Sequence, residues 1–129
     1  RVKSACDRLA AAGVRVSLFI DSVTEQIEAA AEIGVAAVEI HTGHYADADN
    51  IDSEKQELEK IISGVHQAAE KGLIVNAGHG LHYHNVKPVA AIEMIHELNI
   101  GHAIIARAVI SGLSTAVADM SRLMQEARK

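Results

Sequence analysis

An α/β fold built on a parallel sheet is what this sequence predicts, and two observations predict it. Short runs rich in Val, Ile, Leu and Phe alternate with longer segments of helical period, in units of about thirty residues. Residues suited to chemistry, among them Asp21, Glu39, His41, His79 and His102, recur at or near the carboxyl ends of those runs. The chain has 129 residues, 49% of them hydrophobic and 22% charged, which is enough to bury a core in one domain. With no Pro/Gly/Ser linker, low-complexity tract or further repeat, residues 1–129 are expected to form a single domain of four strand–helix units.

The opening segment KSACDRLAAAG reads as the end of a helix closed by Gly13. The first strand run is VRVSLFID, 14–21, followed by the helix SVTEQIEAAAEIG, where Ser22 and Glu25 have capping-box spacing and Gly34 marks the stop. A second run, VAAVEIHTG at 35–43, leads through a loop with three aspartates into a helix from about Ser53 to Lys71. Leu58, Ile61, Ile62, Val65 and Ala69 recur on one face of that helix. The third run is LIVNAGHG at 73–80, and its helix is expected near Pro88, which a first turn tolerates because its missing N–H has no helical partner there. The fourth run is LNIGHAII at 98–105, and the last helix carries Leu113, Val117, Met120 and Met124 at four-three-four spacing.

Composition excludes several function classes. The formal charge is −5, from 12 basic and 17 acidic side chains, and aromatics are 2% of the chain. A nucleic-acid reader carries a basic stripe and a single-strand binder adds stacking platforms, so no nucleic-acid partner is expected. No apolar run reaches the roughly 20 residues of a membrane span, and no signal-peptide pattern opens the chain. The expectation is a soluble cytoplasmic protein with no membrane partner. The lone Cys6 can form neither an intrachain disulfide nor a cysteine cage, in keeping with a reducing compartment.

Two closures suit four parallel strands: an open doubly wound sheet, or half of an eight-stranded barrel. None of the strand–helix turns carries the G-x-G-x-x-G of a dinucleotide fold, and GHGLHYH keeps only its first two glycines. Polar groups at the carboxyl ends of strands are where a β/α barrel builds its active site. A complete barrel needs about 250 residues, so the reading is half of one. The chain starts inside an apparent helix and not at a methionine, for which truncation is the simplest expectation.

Glu39 and His41 share a strand face, with Val38 and Ile40 on the other. A carboxylate in an apolar strand is costly unless paired, so this is a candidate catalytic pair, with Glu39 preferred; a buried ion pair or an edge position facing solvent would give the same pattern. His79 lies between Gly78 and Gly80, where glycines allow close approach of a ligand, and an imidazole suits proton transfer near neutral pH. The bland alternative is a histidine packed in a glycine turn. His82 and His84 read as loop residues. His41, His44, His79, His82 and His84 could gather a metal, yet they lack H-E-x-x-H spacing, and no metal is expected. In NIGHAIIARAV, Gly101 allows close approach to a helix start whose free N–H groups suit an anion, and His102 could add a hydrogen bond or charge. Arg107 reads as a salt-bridge residue.

RVSLFID, EIHTGHYADA, NAGHGLHYHNVK and ELNIGHAIIARAV, in this order and spacing, closely resemble the carboxyl-terminal half of the pyridoxine 5′-phosphate synthase family, barrel enzymes that close the vitamin B6 ring. The resemblance covers nearly the whole chain. It implies a cytoplasmic (β/α)8 TIM barrel enzyme that needs no cofactor and assembles as a homo-oligomer, an octamer in the family. It implies condensation of 1-deoxy-D-xylulose 5-phosphate with 3-amino-2-oxopropyl phosphate to pyridoxine 5′-phosphate, phosphate and water. By the same resemblance His79 is the proton donor, Glu39 the carboxylate that stabilises the transition state, and Gly80, Gly101 and His102 bind the amino-ketone phosphate. His44 and His82 fall at variable positions, and His41 and His84 receive no role. The family's amino-terminal half supplies a second histidine, a glutamate base and substrate-gripping arginines and asparagine. Three cases are therefore expected: a fragment of a longer enzyme, a chain complemented by a separate partner, or two halves that pair. The alternative function is a catalytically incomplete half-barrel acting as a phosphate-binding or assembly module.

Overall fold

The computed structural model describes residues 1–129. Strands β1 (Ser17–Ile20), β2 (Ala37–His41), β3 (Ile74–Gly78) and β4 (Ile95–Asn99) form one parallel sheet in the order β1-β2-β3-β4. The helices are α1 (Val2–Ala11), α2 (Thr24–Ile33), α3 (Gly43–Ala46), α4 (Ile51–Glu70), α5 (Val86–Ala90), α6 (His102–Ser111) and α7 (Leu113–Ala127). The four expected strand–helix units are all present, in their expected order. No helix is long and apolar enough to cross a membrane.

The strand register sorts the sheet into two unlike faces. Val38 and Ile40 on β2, with Val75 and Ala77 on β3, are buried against Ile27, Ala30, Ile61, Val65 and Ala68 of α2 and α4. That helix–sheet layer is the core. A smaller cluster of Val86, Ala90 and Met120 docks α7 onto α5. The opposite face carries Phe19, Glu39, Asn76 and Glu97 in register, then Asn99 beside Gly78, and no helix covers it. Phe19 is 56% exposed there. Parallel sheets are ordinarily covered on both faces, so this open polar face is what sets the chain apart from a doubly wound domain. Both edge strands, β1 and β4, also lack a neighbour.

Several local expectations are corrected. The spacing of Ser22 and Glu25 does not make a capping box: α2 starts at Thr24 with extended Val23 as its cap and no capping side chain. Ser22 instead packs against Gly64, where any Cβ would lie 2.8 Å from the serine Cβ. Gln26 reaches back, accepting from the Asp21 N–H at 2.9 Å. A capping box does form at α4, where Asn50 Oδ1 accepts from the Ser53 N–H at 2.9 Å and Ser53 Oγ accepts from the Asn50 N–H at 3.3 Å. The fourth strand is 95–99 and not 98–105, so Ile104 and Ile105 belong to α6. A continuous apolar run does not distinguish strand from helix, and the buried Ile95 with the turn at Gly101 decides it. The loop after β2 contains the short helix α3. On α7 the buried positions are Ala116 and Met120, while Leu113 and Val117 stay exposed.

Candidate active site

Glu39, His79, Gly80, Gly101 and His102, the five residues to which the family resemblance gives a role, line one cleft of about 280 Å³ together with Phe19, Leu81, Asn99 and Ile100. The cleft lies at the carboxyl ends of the strands. β2 brings Glu39, the turn after β3 brings His79 and Gly80, and the turn between β4 and α6 brings Gly101 and His102.

Glu39 is held in place by a residue the sequence reading did not single out. Asn99 Nδ2 donates to Glu39 Oε2 at 2.8 Å, across the intervening strand β3. Gly78 makes this possible: a Cβ there would lie 2.5 Å from Glu39 Oε1 and 3.0 Å from Asn99 Cβ. A fourth strand at 98–105 would put Asn99 near its start; with β4 ending at 99, that residue occupies a strand end beside Gly78.

His79 has a left-handed backbone, with φ 83°. A side chain at such a φ costs roughly 1–2 kcal/mol and persists where surrounding bonds dictate it. Those bonds come from the segment after β2. Buried Thr42 donates its N–H to the Gly78 carbonyl at 2.8 Å, and its Oγ1 lies 2.7 Å from that carbonyl and 2.6 Å from the His79 carbonyl. Asn85 Nδ2 donates to the Gly80 carbonyl at 3.2 Å, and Tyr45 donates to the Asn85 carbonyl at 2.8 Å. Gly80 follows with φ 76°, and a Cβ there would lie 2.5 Å from Ala46 Cβ. The 78–80 corner is thus clamped against α3 from two sides.

The His79 ring lies 5.0 Å from the His41 ring, centroid to centroid, and both rings lie against Gly43, where a Cβ would come within 2.5 Å of His41 Nε2 and 3.1 Å of His79 Cδ2. His41 shares the sheet face of Glu39, as expected, but does not line the cleft; its Nδ1 is 3.2 Å from Asp21 Oδ1. His82 and His84 stand apart in the following loop, where the His84 N–H donates to His82 Nδ1 at 3.2 Å. Arg107 pairs with Asp119 at 2.7 Å and lies over the Tyr83 ring.

Glu39 is the one carboxylate in the cleft, and the far wall is the start of α6. No side chain caps that helix, so its first backbone N–H groups are free for an anion at Gly101 and His102, helped by the helix dipole. The cleft therefore offers two imidazoles, His79 and His102, an oriented carboxylate and an anion-accepting helix start.

Over residues 1–126 the chain matches the family model described as Pyridoxal phosphate biosynthesis protein PdxJ. It is 61% identical over 128 residues to the pyridoxine 5′-phosphate synthase of Pseudoalteromonas translucida (strain TAC 125), covering 99% of this chain and 53% of the relative. It is 57% identical over 129 residues to the protein of the same name from Aliivibrio fischeri (strain ATCC 700601 / ES114), covering 100% of this chain and again 53% of the relative. The chain spans about half the length of the curated relatives it matches. Four parallel strands, with relatives about twice as long, agree with half of an eight-stranded barrel. A match from the first residue to the 126th places this chain in the family of the pyridoxal phosphate biosynthesis protein PdxJ.

Proposed function

We propose that this chain forms the carboxyl-terminal half of a TIM barrel, a single domain over 1–129, and carries part of the active site of a pyridoxine 5′-phosphate synthase. The carrying observation is the convergence of Glu39, His79, Gly80, Gly101 and His102 on one cleft from three separate strand ends. The reaction joins 1-deoxy-D-xylulose 5-phosphate to 3-amino-2-oxopropyl phosphate through imine formation, loss of phosphate and water, and ring closure. Each of those steps moves protons, which a positioned imidazole can do. In this reading His79 donates the proton, and Glu39, oriented by Asn99, stabilises the positive charge that develops as the imine forms. Gly80, Gly101 and His102 hold the phosphate of the amino ketone, with the N–H groups at the start of α6 as donors.

The open face of the sheet fits a barrel interior whose remaining wall comes from further strands. Asn76, buried on that face, has an Oδ1 with no hydrogen-bond partner, and the two bare edges supply the pairing sites for closure. A cytoplasmic location and a homo-oligomeric assembly, an octamer, accompany this reading. The same bare edges favour a second reading, a catalytically incomplete half-barrel that binds phosphate or serves assembly. Incubation with both phosphorylated substrates, alone and with the amino-terminal half added, followed by chromatography, tests the proposal. Pyridoxine 5′-phosphate that disappears with His79→Ala supports the synthase. Thermal stabilisation by phosphate without product in either mixture supports the second reading.

A further inference from the structure

Asp21 at the end of β1, His41 at the end of β2 and His44 in α3 each offer one ligand atom, and these atoms all lie within 4.8 Å of one another. None of the three lines the cleft of Glu39 and His79. They border a neighbouring hollow shared with Ser22, Tyr45, Glu57 and Lys60. We propose that Asp21, His41 and His44 form a binding site for a divalent cation of the zinc class, a site independent of the synthase reading and contrary to the expectation of no metal drawn from the sequence.

Two imidazoles and a carboxylate are a donor set that zinc and neighbouring divalent ions take, with a further position left for water. Asp21 Oδ1 and His41 Nδ1 are 3.2 Å apart, about the separation of two ligands around one tetrahedral ion bound at about 2.0–2.1 Å. His44 is an exposed side chain, so its ring is free to turn toward the other two ligands without disturbing the core. The other two ligands are already oriented. Gln26 Nε2 donates to Asp21 Oδ2 at 3.3 Å while Gln26 Oε1 accepts the Asp21 N–H at 2.9 Å, which leaves Oδ1 facing His41. The His41 ring stands edge-on to Phe19 at 5.1 Å and to His44 at 5.3 Å. A hydrogen-bonding outer partner such as Gln26 is what fixes ligand direction in metal sites. The one cation in the hollow, Lys60, is paired with Glu57 at 2.6 Å, so its charge is already matched. A bound ion would tie β1, β2 and α3 together next to the His79 ring.

Zinc chloride titrated calorimetrically into the full chain, after chelator treatment, tests the site. One equivalent is expected, with affinity falling more than about 10-fold in His44→Ala and unchanged when His82 and His84 are both replaced by Ala. Cobalt(II) added in place of zinc should give visible absorption that His44→Ala abolishes, and circular dichroism of that variant should match the parent because the side chain is exposed. No stoichiometric binding overturns the proposal. So does binding that survives His44→Ala or disappears with the His82 and His84 replacements, which would place the ion in the loop after β3.

Discussion

Glu39 and Asn99 are sixty positions apart in sequence and meet over a strand that has no side chain between them. Their bond spans β2 to β4 because β3 presents Gly78 at that level. Gly78→Ala is expected to push a methyl group into Glu39 Oε1 and Asn99, costing about 1–3 kcal/mol as overpacking. Chemical denaturation measures the cost. Under the synthase reading, activity should fall further than stability accounts for, and Asn99→Ala, which leaves the space open, should lower activity with little loss of stability.

Thr42 holds the corner that presents His79. In Thr42→Val the shape is kept but the carbonyls of Gly78 and His79 lose the hydroxyl, so stability should drop by about 1–3 kcal/mol. Thr42→Ser keeps the donor and should recover most of that loss. The His79 backbone amide and those of its neighbours should exchange faster in the valine variant and not in the serine variant.

His79 holds a backbone shape that glycine adopts freely, so a histidine there comes at a cost to the fold. His79→Gly is expected to raise stability by up to about 1 kcal/mol and, under the synthase reading, to abolish product formation. His79→Val, with a β-branched side chain at positive φ, should lower stability instead. Thermal melts of the two variants give opposite signs if the left-handed geometry is a real constraint.

Burial, followed by the neighbouring Glu54 carboxylate, pushes the Tyr45 phenol from 10.0 up to about 12. The fold thus favours the neutral phenol. That contribution is fully present below pH 10 and is lost as pH rises through about 12, where the anion forms in a buried place beside a carboxylate. Stability measured against pH should therefore fall on the alkaline side of 10. Tyr45→Phe removes the bond to the Asn85 carbonyl, lowers stability by about 1 kcal/mol near neutral pH, and should remove the tyrosine's share of the alkaline slope.

The fold was legible because the alternation of apolar runs and amphipathic helices records which side chains face the helix–sheet layer, and Val38, Ile40, Val75 and Ala77 all do so. The strand-end positions of Glu39 and His79 follow from the same pattern. Features that depend on contacts between distant segments were not legible. Asn99 looks like an ordinary polar residue until β4 is placed, and Thr42 looks like a loop threonine until it is found under the Gly78 and His79 carbonyls. The left-handed φ of His79 was also hidden, since flanking glycines suggest that they carry the unusual backbone themselves. Ser22 shows the reverse error: a local capping motif gave way to packing against Gly64 and to the side chain of Gln26.

Under the synthase reading, the cleft between the ends of β2, β3 and β4 receives a phosphorylated amino ketone. Titrating 3-amino-2-oxopropyl phosphate into isotopically labelled protein and following the backbone amides tests it most directly. Saturable shifts are expected to concentrate at His79, Gly80, Gly101 and His102, to persist in Glu39→Gln and to disappear with a bulky replacement at Gly101. Shifts centred elsewhere, such as the start of α7 at Gly112, or no saturable shifts from folded protein, would contradict it.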